Sequence, residues 1–208
     1  MRIGILGGTG PAGSALAARL ASIGYPAVIG SRSADRAVEI AREFVVKFPE
    51  LDGLLTGGDN AAASACDLVV IATPWDSAAT TVQDNADALA GKVIISMANA
   101  LVRVAGEFQP LLPPRGSVAA HIQAAVPRSR VVAAFHHLPA KELGHIGEPI
   151  DSDVLICSDD ASALNPAAKN ALDRNAVRID KLGTIDDRLP VDNKGSCRDA
   201  AGAGFLHR

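Results

Sequence analysis

The run Gly7-Gly8-Thr9-Gly10-Pro11-Ala12-Gly13 constrains this chain more than any other stretch. Gly8, Gly10 and Gly13 fall on a G-x-G-x-x-G spacing directly after a predicted strand, Arg2 to Leu6. They also sit immediately before an Ala- and Leu-rich segment. In a strand-turn-helix unit the first glycine permits the tight turn and the second lets backbone approach a pyrophosphate. The third allows close packing of helix on strand, and the helix N-terminus offers free N–H groups and partial positive charge. Pro11 suits the first helical position, where its missing N–H costs nothing. A glycine-rich turn without a ligand is the bland alternative, and the strand before and helix after weigh against it.

The rest of the chain repeats that alternation. Short apolar runs separate longer Ala-rich segments, which predicts an α/β fold: a doubly wound, Rossmann-like, mostly parallel sheet with helices on both faces. In the first helix Leu16, Ala17, Leu20 and Ile23 line one face and Gly24 closes it. A strand at Ala27 to Gly30 leads into a helix from Ser33 to Phe48, stopped by Pro49. Leu54 to Thr56 reads as a third strand, with Gly57 and Gly58 as its turn and Asp59 as N-cap of a short helix. Strands at Leu68 to Ala72 and Val93 to Ser96 flank a helix from Asp76 to Leu89. A connection from Ala98 to Arg115, carrying Pro110, Pro113 and Pro114, is long enough for a lid or binding loop. A helix at Ser117 to Val126 and strands at Val131 to Phe135 and Val154 to Cys157 follow. Residues 1–182 are expected to form the nucleotide-binding domain with a small extension, its core ending near Ile179. Residues 183–208 lack apolar periodicity and are expected to be an irregular tail.

Composition removes several function classes. The 208 residues are 48% hydrophobic and 21% charged with a net charge of -3, which disfavours both disorder and a basic nucleic-acid surface. Aromatic residues make up only 3%, too few for base-stacking platforms. Cys66, Cys157 and Cys197 form no CxxC pair, so spacing supports neither zinc nor a disulfide framework. No secretory signal opens the sequence, and its apolar runs are strand-sized, far short of the ~20 residues of a membrane span. The expectation is a soluble cytoplasmic protein whose partners are small molecules rather than nucleic acid or membrane.

An NAD site usually places Asp or Glu after the second strand, on the ribose hydroxyls. Here Gly30-Ser31-Arg32-Ser33 stands instead. A hydroxyl and a guanidinium suit a 2′-phosphate, so NADP is expected over NAD. Arg36, one turn on, is either a second cation for that phosphate or a solvated surface residue, and Ser31 could also serve as a helix cap. Thr73, Pro74 and Trp75 follow the fourth strand at the edge where such folds place ligands, and Pro74 and Trp75 could wall a cofactor. Met97 and Ala98 end the fifth strand on the same edge, where they could face a nicotinamide. His136 and His137 are adjacent and point apart, so no metal site is expected. Either could hydrogen-bond a substrate or donate a proton, or simply pack on Pro139. No GxSxG, Walker loop or Ser-His-Asp set occurs.

The stretches GILGGTGPAGSALAARLASIGY, VIGSRS, CDLVVIATPWDSA and VVAAFHHLPAKEL, in this order between Met1 and Asp160, resemble the NADPH-dependent reductases of coenzyme F-420 (F420). The resemblance implies hydride exchange between the nicotinamide of NADP(H) and the deazaflavin ring of F420. It implies Thr9, Ser31 and Arg32 as NADP contacts, and Pro74, Trp75 and the His136 to Ala140 segment at the meeting place of the two rings. The family's serine- and asparagine-containing loop and apolar C-terminal helix have no match in Asp186 to Arg208. Two other readings stay open from the residues alone: an NADPH-dependent reductase of another small substrate through His136 or His137, and an NADP-binding protein without turnover. A homodimer is compatible with all three.

Overall fold

In the computed structural model, which describes residues 1–148, 150, 154 and 156–164, strand β1 (Ile3–Leu6) is buried along its whole length. A four-residue strand with no exposed position belongs in the middle of a sheet covered on both faces. It leads through the glycine loop into α1 (Pro11–Ser22), followed by β2 (Ala27–Ser31), α2 (Ala34–Lys47), β3 (Leu55–Asp59) and α3 (Asn60–Ser64). Then come β4 (Leu68–Ile71), α4 (Trp75–Gln83), α5 (Ala86–Leu89) and β5 (Val93–Ser96). The remaining elements are β6 (Leu101–Val104), β7 (Glu107–Pro110), α6 (Val118–Ala125), β8 (Arg130–Ala133) and α7 (Ala140–Leu143).

Six strands form one parallel sheet in the order β3-β2-β1-β4-β5-β8. Chain order therefore runs outward from β1 in one direction and then, from β4, in the other. The crevice between the two halves at the carboxyl edge is where such sheets hold ligands. Strand alternation divides the core. Ile3 and Ile5 of β1 pack with Leu16 and Leu20 of α1 and with Ala37 and Ala41 of α2. Leu6 packs on the other face with Ala78 and Val82 of α4, Leu89 of α5 and Ile122 of α6. This is the doubly wound fold expected.

Several expectations need correction. Gly57 and Gly58, expected as the turn after the third strand, lie inside β3 and pair with Ile29 and Gly30 of β2. The helix expected from Asp76 to Leu89 is two helices, because the Asn85 side chain donates to Thr81 O at 2.9 Å and ends α4 at the Asp84 cap. The connection from Ala98 to Arg115 contains the hairpin of β6 and β7, whose turn residues Ala105 and Gly106 have φ of 50° and 92°. Two successive positive φ values match the tight hairpin turn that suits strand twist, usually announced by Asn-Gly rather than Ala-Gly. The strand expected to reach Phe135 stops at Ala133, since Phe135 turns the chain with φ 64°. Of the strand expected at Val154 to Cys157, the described residues show a single antiparallel bridge between Ala133 and Cys157. The expected end of the core near Ile179 and the tail 183–208 lie outside the described residues.

Candidate active-site cleft

The chain leaving β1 is held open by two anchors. Gly7 N–H donates to Asn60 Oδ1 at 3.2 Å, and Gly8 N–H donates to Gly30 O at 2.8 Å. Gly10 is the N-cap of α1, and Ser14 fastens it, its N–H and Oγ both donating to Gly10 O at 3.0 and 2.9 Å. Ala12 and Gly13 lie in the first turn, where N–H groups have no acceptor inside the helix. Gly10 and Gly13 divide their labour as the spacing predicts, whereas the left-handed turn expected at Gly8 falls on Gly7, with φ 65°. A Cβ on Gly13 would lie 2.8 Å from Ala72 Cβ and 2.9 Å from Gly8 Cα, so this glycine serves packing. A Cβ on Gly10 would meet nothing within 4 Å, and the space it would fill opens into a cleft. A backbone amide edge with vacant space before it, at a helix N-terminus, is a fitting cradle for a pyrophosphate.

The cleft measures about 700 Å³ and runs along the carboxyl edge of the sheet. Thr9, Gly10, Pro11, Ala12 and Gly13 line it on one side, and Ser31 with Arg32 stand at one end. Arg32 is exposed and makes no ion pair among the described residues, so its charge is available to a ligand. Ser31 is buried, and its Oγ accepts from Ser33 N–H at 3.2 Å. The cap of α2 is Ser33, which accepts from Arg36 N–H at 3.4 Å, so the alternative reading of Ser31 as the cap passes to its neighbour. Asp59 pairs in register with Ser31 and is the nearest acid on the adjoining strand. Its carboxylate instead accepts from Ala62 N–H at 2.7 Å as the cap of α3. Arg36 is exposed on α2 and is not among the residues that line the cleft.

Thr73, Pro74 and Trp75 form the opposite wall. Pro74 caps α4, and half-buried Trp75 also packs on the core beneath, so the wall and core readings of this residue hold together. Met97 and Ala98 close the far end, as expected from the end of β5. Two features had not been anticipated. Asn60 both lines the cleft and ties down Gly7. Ser77, Thr80, Thr81 and Asp84 present one polar face of α4 to the cleft. Their helical spacing, opposite buried Ala78 and Val82, was visible in the sequence.

His136 and His137 do not line this cleft. His136 faces a neighbouring cavity of about 50 Å³ together with Ser96, Ser117 and Cys157, and the two spaces share Ala98 and Asn99. Asn99 Nδ2 donates to His136 O at 3.2 Å. The Oγ of Ser96 and the Nδ1 of His136 are buried with no hydrogen-bond partner among the described residues. Burial, and secondarily the neighbouring His137, push the His136 imidazole down to about 4. It is therefore neutral at physiological pH and poorly suited to protonate a substrate. The two imidazoles meet edge to face at 5.2 Å and 74°. Among the described residues the site thus joins an anion cradle, one exposed cation and an end lined by Met97 and Ala98.

Comparison with known proteins agrees with this geometry. The family model for NADP oxidoreductase, coenzyme F420-dependent, matches residues 2–100, which take in the glycine loop, Ser31, Arg32, Trp75 and Met97. An F420-dependent NADP reductase from Methanocaldococcus jannaschii is 32% identical over 191 residues, covering 89% of this chain and 85% of that protein. Its counterpart from Methanothermobacter marburgensis is 32% identical over 202 residues, covering 92% and 88%. Among solved structures, one from Arthrobacter sp. FB24, provisionally assigned as an F420-dependent NADP reductase, superposes with a TM-score of 0.66 at 29% identity, covering 82% of this chain and 79% of that one. With relatives at this identity aligned over most of both chains, the chain belongs to the F420-dependent NADP oxidoreductase family.

Proposed function

We propose that this protein transfers a hydride between NADP(H) and the deazaflavin coenzyme F420. The observation that carries the reading is the cleft itself: open space before Gly10 at one end of α1, and an unpaired Arg32 where an NAD site would hold a carboxylate. The relatives that share this chain along most of its length are named for the same reaction.

When bound, the two coenzymes supply the hydride donor and acceptor. The chain's own residues bind and orient. The first-turn N–H groups of α1 receive the pyrophosphate, and Ser31 and Arg32 receive the 2′-phosphate through charge-assisted hydrogen bonds. Pro74 and Trp75 restrict the cofactor from the side. Met97 and Ala98 present an apolar surface to the nicotinamide and limit water there. No ionisable side chain is required at that end, because distance, orientation and polarity set the rate of such a transfer. In this reading the protein works in the cytoplasm with small-molecule coenzymes as its partners. Its buried Cys66 thiol agrees with a reducing compartment. Among the described residues no helix is long and apolar enough to cross a membrane.

The test is anaerobic mixing of the protein with NADPH and oxidised F420 while following deazaflavin absorbance. Loss of that absorbance with NADPH, and far less with NADH, is expected. Persistence of the absorbance in the presence of bound NADPH would overturn the assignment.

A further inference from the structure

Arg19 is the one charged side chain that is buried among the described residues, 3% exposed in the middle of α1. A buried cation is costly unless its donors are satisfied. Here Nε donates to Leu143 O at 3.0 Å, Nη1 to Glu148 O at 2.9 Å, and Nη2 to Glu142 O at 2.9 Å and His145 O at 2.7 Å. The planar guanidinium thus gathers the carbonyls of one short stretch, residues 142–148, onto the helix whose first turn lines the cleft. Leu143, fully buried, packs into the same core as Ala15 and Leu16.

That stretch is the far end of the segment that leaves β8 through Phe135. Phe135 is 2% exposed and holds φ 64°, a backbone state disfavoured for a bulky residue and kept only where its surroundings determine it. The segment is fixed near its start by the Asn99 side chain on His136 O, and Asn99 lines the cleft beside Met97 and Ala98. One anchor therefore sits at the far end of the cleft. The other sits on α1, more than two turns beyond the Gly10 cap.

We propose that Arg19 is a positioning residue for the nicotinamide end of the cleft: by clamping residues 142–148 to α1 it holds the His136 to Ala140 segment against Asn99. It acts through that segment and makes no contact with the cofactor. The inference rests on the reading above, that the ligand is NADP(H) with its nicotinamide toward Met97 and Ala98. It implies that the nicotinamide half of the dinucleotide is held less well when the clamp is loosened, while the adenosine half, which meets the glycine loop and Arg32, is not affected.

The test compares dissociation constants for NADPH and for 2′,5′-ADP, which lacks the nicotinamide half, in the full chain and its Arg19→Met and Arg19→Lys variants. NADPH should weaken by about tenfold or more in Arg19→Met, with 2′,5′-ADP staying within about twofold. Lysine should recover part of the loss, since an ammonium can reach some of the carbonyls but cannot reproduce the planar fork. Equal weakening of both ligands would reduce Arg19 to a support of α1, and no weakening of either would sink the proposal outright. Should Arg19→Met fail to fold, hydrogen exchange on the unmodified protein decides: amides of 136–148 should gain protection with NADPH and not with 2′,5′-ADP, and identical protection would refute the clamp. An unmodified protein that binds neither ligand would instead refute the NADP(H) reading.

Discussion

Replacing Gly10 by Val separates binding from folding in a single position. The residue has φ -75° and ψ 162°, extended backbone that a β-branched side chain accepts, and its Cβ would meet nothing within 4 Å. The folded state is therefore not strained. The unfolded chain loses freedom, which is worth up to about 1 kcal/mol of stability, or a rise of roughly 2–4 °C in Tm for a chain of this size. The isopropyl group, however, occupies the space that a pyrophosphate needs to reach the helix N-terminus. Each charge-assisted hydrogen bond is worth about 1.5–3 kcal/mol, so losing two weakens NADPH by roughly a hundred- to ten-thousandfold. Gly13→Ala is the control, because its Cβ would lie 2.8 Å from Ala72 Cβ and 2.9 Å from Gly8 Cα. That overpacking should cost about 1–3 kcal/mol and lower Tm. Thermal unfolding and NADPH fluorescence titration read both variants. A Gly10→Val protein that binds NADPH normally, or that melts as early as Gly13→Ala, would refute the division of roles in the loop.

Arg32→Ala should weaken NADPH about tenfold and leave NADH nearly unchanged, the lower end of a charge-assisted contact because the side chain is exposed and screened by salt; equal loss for both cofactors in titrations would assign Arg32 to the shared part of the ligand. Asn60→Ala removes the acceptor of Gly7 N–H and should cost about 0.5–1.5 kcal/mol in urea unfolding, with weaker NADPH binding as the loop loosens; unchanged affinity would show that Gly7 needs no anchor. The depressed pKa of His136 makes its contribution to stability pH-dependent. Between the ordinary imidazole value of 6.5 and about 4 the unfolded chain binds the extra proton, so this contribution is complete above that window and is lost as pH falls through it. Unfolding midpoints of the native protein at pH 7 and pH 5 should differ more than those of His136→Gln, and equal slopes would show that the imidazole is not buried neutral.

The first half of the fold was legible because each element there announces itself locally. Pro11 and Gly24 bracket α1, Ser33 caps α2 and Asp59 caps α3, and each apolar run becomes a strand in the sheet. Misreadings came where a single side chain or dihedral overrides periodicity. Asn85 folds back on Thr81 O and breaks an otherwise continuous helical pattern. Ala105 adopts a positive φ that nothing in its chemistry advertises, so the β6 to β7 hairpin reads as plain connection. Phe135 does the same and ends β8 early, although the apolar run continues.

The site divides along a different line. Residues whose role depends on the chain within one βα unit could be read directly: Gly10, Gly13, Ser31, Arg32, Pro74 and Trp75 all line the cleft. Residues whose role depends on which strands become neighbours could not. The polar face of α4 at Ser77, Thr80, Thr81 and Asp84 is what any amphipathic surface helix would show to water. Only the reversal of strand order between β1 and β4 turns it toward the glycine loop. Asn60 is hidden for the same reason, since β3 lies two strands from β1 and its helix must cross β2 before the side chain reaches Gly7. Arg36 is the converse case: by sequence either a second cation or a solvated surface residue, it is exposed and off the cleft lining once Ala37 and Ala41 of α2 face the core. Under the proposed function, recognition of the 2′-phosphate then rests on Arg32 with Ser31, and Arg36→Ala should leave the NADPH to NADH affinity ratio unchanged; a fall in that ratio comparable to the Arg32 variant's would show that α2 contributes a cation from outside the cleft wall.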